Sequence, residues 1–160
     1  MKKFLVAGLV SIAIFGCGKS HSNATVFQLT LNGANYSFDS IVAWVDTSQG
    51  IFFTTIDGLN TKTKSQLRVL AQSNKNTMNG TYTHMPPYPD NCILVSFGCT
   101  IVSGVNVNTY VAQGTAEFLF KISSSDNKNI SGSFTGTLVD LSGVKNPSAT
   151  GQFQLPYQFR

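Results

Sequence analysis

Apolar and polar residues alternate with period two through three runs in residues 114–160. Ala116, Phe118, Phe120 and Ile122 share one side of the first run. Thr115, Glu117, Lys121 and Ser123 share the other, and Leu119 breaks the rule. In the second run Ile130, Phe134 and Leu138 line one face against Ser131, Ser133, Thr135 and Thr137. In the third, Phe153, Leu155, Tyr157 and Phe159 alternate with Gln152, Gln154, Pro156 and Gln158. Successive side chains of a strand point to opposite faces, so the pattern predicts strands with one dry face and one wet face.

The same reading runs back through the chain. Residues 26–31 predict a first strand with Phe27, Leu29 and Leu31 inward, closed by an Asn32-Gly33 turn. A strand over 36–45 would place Tyr36, Phe38, Val42 and Trp44 on one face. A turn at 47–50 leads to a β-rich run over 51–56, which Asp57-Gly58 is expected to end. Further strands are expected at 67–71 and 80–83, and residues 92–107 are apolar and punctuated by glycine. Met85-Pro86-Pro87-Tyr88-Pro89-Asp90 cannot join a sheet interior, because its prolines lack a backbone donor. No stretch beyond the N-terminal segment keeps a helical period. The pattern predicts an all-β antiparallel domain of about 8–10 strands, most simply a two-layer β-sandwich. A closed β-barrel is the alternative, since its strands alternate in the same way.

Composition narrows the setting. Charged residues are only 11% of the chain, against roughly 25% in an average soluble protein. Ser, Thr, Asn and Gln supply the polar surface instead, as suits an extracytoplasmic β protein. The formal charge of +4 includes Lys2 and Lys3; without them 9 of the 11 basic residues remain against 7 acidic ones. No basic field remains to recruit nucleic acid.

Met1-Lys2-Lys3 is a basic start, residues 4–15 are an apolar run too short to span a bilayer, and small Gly16 precedes Cys17. This is the layout of a secretory signal, and Ile14-Phe15-Gly16-Cys17 resembles the bacterial lipobox. The lipobox implies cleavage before Cys17 and diacylation of its thiol; an unlipidated signal peptide is the alternative. Two acyl chains anchor a protein stably, whereas one binds only marginally. The expected organisation is a signal peptide over 1–16, a lipidated Cys17 with a polar tether over 17–24, and one β domain over 25–160. Residue 18 is Gly rather than the Asp of inner-membrane retention, so the outer membrane is the expected location, with orientation left open.

Lipidation of Cys17 would leave two of the three cysteines, Cys92 and Cys99, in a compartment that permits a disulfide. A straight strand would hold their Cα atoms about 23 Å apart, whereas a disulfide needs roughly 4.4–6.8 Å. Either the chain reverses near Ser96-Phe97-Gly98 and the bridge forms, or the two thiols are buried apart.

Several motifs recur in order along small Bacteroidota lipoproteins of unknown function. After the lipobox comes Leu31-Asn32-Gly33-Ala34-Asn35-Tyr36-Ser37-Phe38, then Gly80-Thr81-Tyr82. Ile130-Ser131-Gly132-Ser133-Phe134 and Gly151-Gln152-Phe153 follow. The chain resembles that family over nearly its whole length. The resemblance implies a β-sandwich lipoprotein and implies no activity.

No catalytic grouping stands out. His21 lies in the tether and His84 before the proline-rich loop, and no Gly-x-Ser-x-Gly elbow accompanies either. Glu117 is the only Glu, on a wet strand face. Asp126-Asn127-Lys128-Asn129 lacks the alternating oxygen ligands of a calcium loop and reads as a hairpin turn. Neither a metal nor another cofactor is expected. Two features suggest contact with other molecules. Tyr82, His84, Met85 and Tyr88 gather around the prolines, where a rigid aromatic loop would stack on a glycan or clasp an envelope protein. Asp39-Ser40-Ile41 fits the short O-glycosylation acceptor pattern of Bacteroidota, with Ser40 as acceptor. The leading expectation is a non-enzymatic binding or structural module held at the outer membrane by Cys17. A small extracytoplasmic hydrolase built on His84 and a barrel holding an apolar ligand are the alternatives.

Overall fold

The structure, a computed structural model, describes residues 25–73, 77–87, 92–143 and 146–160, with only the backbone of Cys92 and Ile93. The described residues form thirteen strands and no helix. One sheet has six strands. Its order is β2 (Ala34–Tyr36), β1 (Val26–Leu31), β12 (Ser148–Pro156), β10 (Asn129–Thr137), β9 (Phe118–Ser125) and β6 (Gly80–Thr83). The other has seven. It begins with β11 (Val139–Asp140), β8 (Asn106–Val111), β7 (Cys92–Ser103) and β5 (Gln66–Ser73). It continues with β4 (Ile51–Leu59), β3 (Ser40–Ser48) and β13 (Gln158–Phe159). All pairings are antiparallel except β13 on β3, which is parallel. The two sheets pack face to face as a β-sandwich, and the closed barrel is excluded.

The alternation in the last third folds as its pattern predicts over β9, β10 and β12, while residues 114–117 precede β9 and lie outside any strand. Phe118, Phe120, Ile122, Ile130, Phe134, Leu138, Phe153 and Leu155 are all buried. Their rings form one aromatic seam. Phe120 stacks on Phe153 with centroids 5.1 Å apart, and Phe134 lies 5.7 Å from Phe27. Phe134 also reaches across the sandwich to Phe97 of β7, at 5.2 Å. Two glycines make this possible. Phe134 pairs with Gly151 and Phe153 pairs with Gly132 in the β10–β12 ladder. Each ring lies over the glycine opposite it, so a Cβ on Gly151 would fall 2.1 Å from the Phe134 ring. The hairpins also follow their local signals. Asn32 and Gly33 both have positive φ in the β1–β2 turn. Lys128 and Asn129 donate backbone N–H bonds to the Asp126 carboxylate, so that segment is an Asx turn joining β9 to β10.

Several expectations are corrected. Residues 36–45 are two strands in different sheets. The chain crosses between the sheets at 37–39, and the crossing inverts which parity faces inward. Ala43 and Val45 enter the core, whereas Val42 is 53% exposed. Asp57 and Gly58 do not end β4; they lie inside it, because Asp57 pairs with Arg68 of β5 and Gly58 leaves room for the Phe38 ring. After Pro156 the chain changes sheet again. Phe159 thereby leaves the dry face and is 59% exposed, packing edge-on against Tyr157.

The disulfide between Cys92 and Cys99 is also corrected. β7 runs Cys92–Ser103 without reversing and pairs with β5 along its length, with one register shift near Cys92. Cys99 is a free, buried thiol. The cysteines lie seven residues apart on one extended strand, so the reversal that a bridge requires does not occur.

The ring-over-glycine packing leaves no space for a methyl group at Gly151, where the Gln28 carbonyl oxygen also lies 2.1 Å from an added Cβ. Gly151→Ala is expected to destabilise the domain by about 2–3 kcal/mol through overpacking, read as a lowered midpoint in urea unfolding. An unchanged midpoint would show that the sheet yields at this position.

Candidate functional site

The outer face of the seven-stranded sheet is built by five long strands whose wet residues align in rows. Cross-strand pairing puts Val42, Asp57, Arg68, Gly98 and Val111 in one line across β3, β4, β5, β7 and β8. The next line, two residues along each strand, is Ser40, Leu59, Gln66, Thr100 and Thr109. Between them lies a cleft of about 550 Å³. Gly98 gives its floor no side chain, and the neighbouring residues stand up as walls.

The cleft mixes apolar and polar groups and holds one side chain of each charge. Arg68 Nε donates to Asp57 Oδ1 and Arg68 Nη2 to Asp57 Oδ2, both at 2.7 Å. The hydrogen bonds to Asp57 raise the Arg68 guanidinium above its ordinary value. The bonds use one edge of the guanidinium, and its remaining N–H groups make no bond to another described residue. The Arg68 side chain is 72% exposed. The Thr100 and Thr109 hydroxyls meet at 3.1 Å. One row below, Trp44 is half-buried and carries the Arg160 guanidinium 4.3 Å from its ring centroid. The Arg160 N–H donates to the Val45 carbonyl at 3.0 Å, which fixes that cation beside β3.

The loop singled out from the sequence behaves differently. Tyr82 is a core residue, only 1% exposed. Its ring packs against Phe120 and its hydroxyl donates to the Met78 carbonyl. It therefore cannot stack on a ligand, and the expectation for it is corrected. His84 Nε2 lies 3.2 Å from the Gly114 carbonyl, and its buried Nδ1 has no partner among the described residues. Met85 is exposed. Tyr88 lies outside the described residues, as do Cys17 and His21. Ser40 is exposed at the start of β3 and stands on the cleft wall. Its neighbour Asp39 turns away, accepting bonds from the Thr61 hydroxyl and backbone N–H. Those bonds, the hydroxyl's first, hold Asp39 below the usual carboxylate range.

The residues of the cleft were visible in the sequence only as scattered polar positions. Asp57 and Arg68 are eleven residues apart, and Arg68 and Gly98 thirty. Strand register alone brings them side by side. No family model, curated protein or solved structure matches the chain.

Cys99 lies beneath this face, and burial pushes its thiol up to about 12. At neutral pH it is protonated and inert, since only the thiolate attacks. Native alkylation with iodoacetamide should leave the Cys99 peptide unmodified, and denatured protein should label fully. Prompt native labelling in peptide mass mapping would contradict this packing.

Proposed function

We propose that the protein is an outer-membrane-anchored lipoprotein whose β-sandwich is a non-enzymatic binding module, with the cleft of the seven-stranded sheet as its binding surface. The observation that carries the anchoring is Ile14-Phe15-Gly16-Cys17 after a basic start and an apolar run. The small and polar composition of residues 17–24, which suits a tether, supports it.

The chemistry of the cleft favours recognition. Its carboxylate and guanidinium are bound to each other, and its hydroxyls pair rather than face a base. A hydrolase built on His84 would need the imidazole beside a carboxylate and a hydroxyl, and its recorded contact is the Gly114 carbonyl. Ser40, which is exposed, is proposed as an O-glycan acceptor. A sugar mass on the peptide containing Ser40, lost in Ser40→Ala, tests that assignment in protein from the native host.

Cys17→Ser is expected to move the protein from the membrane to the soluble fraction, or to leave an uncut precursor. Wild-type protein should carry its acyl mass on an N-terminal Cys17. Soluble wild-type protein with a different N-terminus and no acyl mass would overturn the anchoring.

A further inference from the structure

The glycine at position 98 has no structural reason to be there. A Cβ built on Gly98 would meet only the Val111 side chain at 3.6 Å and the Tyr110 carbonyl oxygen at 3.9 Å, both ordinary contacts. Its φ is not among the positive ones. Gly132 and Gly151 differ, since an added Cβ there would strike backbone at 1.9 and 2.1 Å. Glycine inside a strand weakens it by about 0.5–1 kcal/mol relative to alanine, and one use that offsets this is close approach of a ligand to the backbone. Gly98 lies on β7, directly opposite Arg68 in the middle strand of the row. The vacant space is therefore next to the cleft's charged pair.

We infer that this cleft binds a neutral oligosaccharide, laid across the strands over Gly98 and held by Arg68, Asp57 and Gln66. The inference rests on the binding-module reading above. The joined Arg68–Asp57 pair presents outward N–H donors beside carboxylate lone pairs. A vicinal diol, which donates with one hydroxyl and accepts with its neighbour, satisfies both. Hydrogen bonds to ionised groups are about twice as strong as neutral ones. The Gln66 amide, exposed one row away, adds another donor and acceptor. Exposed Val42 ends the charged row on β3, exposed Leu70 stands one row from it on β5, and both suit the C–H faces of sugar rings. The paired charges disfavour an anion, because Asp57 stands against any ligand carboxylate that reaches Arg68. The exposed charged pair disfavours a lipid tail, and the open floor lacks the deep pocket that anchors a protein hot spot.

The test uses residues 17–160 with Cys17→Ser and hexasaccharides of the cello-, malto-, xylo- and manno- series. Chitohexaose and hexagalacturonate complete the panel. Binding is read by amide chemical-shift titration and calorimetry. At least one uncharged hexasaccharide should give saturable shifts centred on Arg68, Gly98 and Thr100. Arg68→Ala should weaken it about tenfold or more, as loss of a charged hydrogen-bond partner does. Gly98→Val should abolish it while keeping the wild-type melting temperature or raising it, because valine suits a strand and only fills the floor. Gln152→Ala, on the outer face of the other sheet, should leave affinity unchanged. The inference is overturned if no uncharged sugar shifts this face, if hexagalacturonate binds best, or if binding survives both cleft variants. Hexagalacturonate binding best at this face would overturn the neutral sugar while leaving the cleft a binding surface, so failure here is separable from failure of the binding-module reading.

Discussion

Two phenylalanine rings seated over two glycines hold the sandwich together. Phe134 lies over Gly151 and Phe153 over Gly132, each pair directly opposed across the β10–β12 ladder. A ring over a glycine covers backbone that has no side chain of its own and lies closer to the sheet than a packed side chain would allow. Both rings stack on Phe120, with centroids 6.5 and 5.1 Å away, and Phe134 meets Phe97 of the opposite sheet. The contact between the layers is thus fixed near the middle of the core by aromatic packing, whose geometry tolerates little change in volume.

A committed core face fixes register, because a slip of one residue would turn every buried side chain to water. The chain nevertheless reverses that parity where it changes sheet. Between β2 and β3 the switch turns Trp44 outward and Val45 inward. After β12 it moves Phe159 out of the core and sets β13 beside β3. Arg160 thereby comes to rest on Trp44. The aromatic and the cation at the edge of the cleft thus depend on the same sheet changes that close the core.

The two outer faces differ in kind. On the six-stranded sheet the wet residues are mainly Gln, Ser and Thr, tied to one another by bonds such as Gln152 to Gln28 at 2.9 Å. On the seven-stranded sheet they include an ion pair, a tryptophan carrying an arginine, and a gap at Gly98. A layer of short neutral side chains is solvated evenly. A gap beside fixed donors and acceptors gives a ligand a place to replace water without losing hydrogen bonds.

Much of the fold was legible in the chain itself. The period-two pattern of β9, β10 and β12, the Asn32-Gly33 turn and the Asp126 turn are set by neighbours within a few residues, so they survive folding. The expectation of a signal and lipobox likewise rests on a local pattern, in residues 1–17. The parity of residues 42–45, the burial of Tyr82 and the unbroken course of β7 were not legible. Each depends on which sheet a segment joins, and that is settled by partners 15 to more than 100 residues away. The cleft belongs to the same class. Asp57, Arg68 and Gly98 are unremarkable positions on three separate strands, and only cross-strand register, imposed by the core beneath them, makes them neighbours.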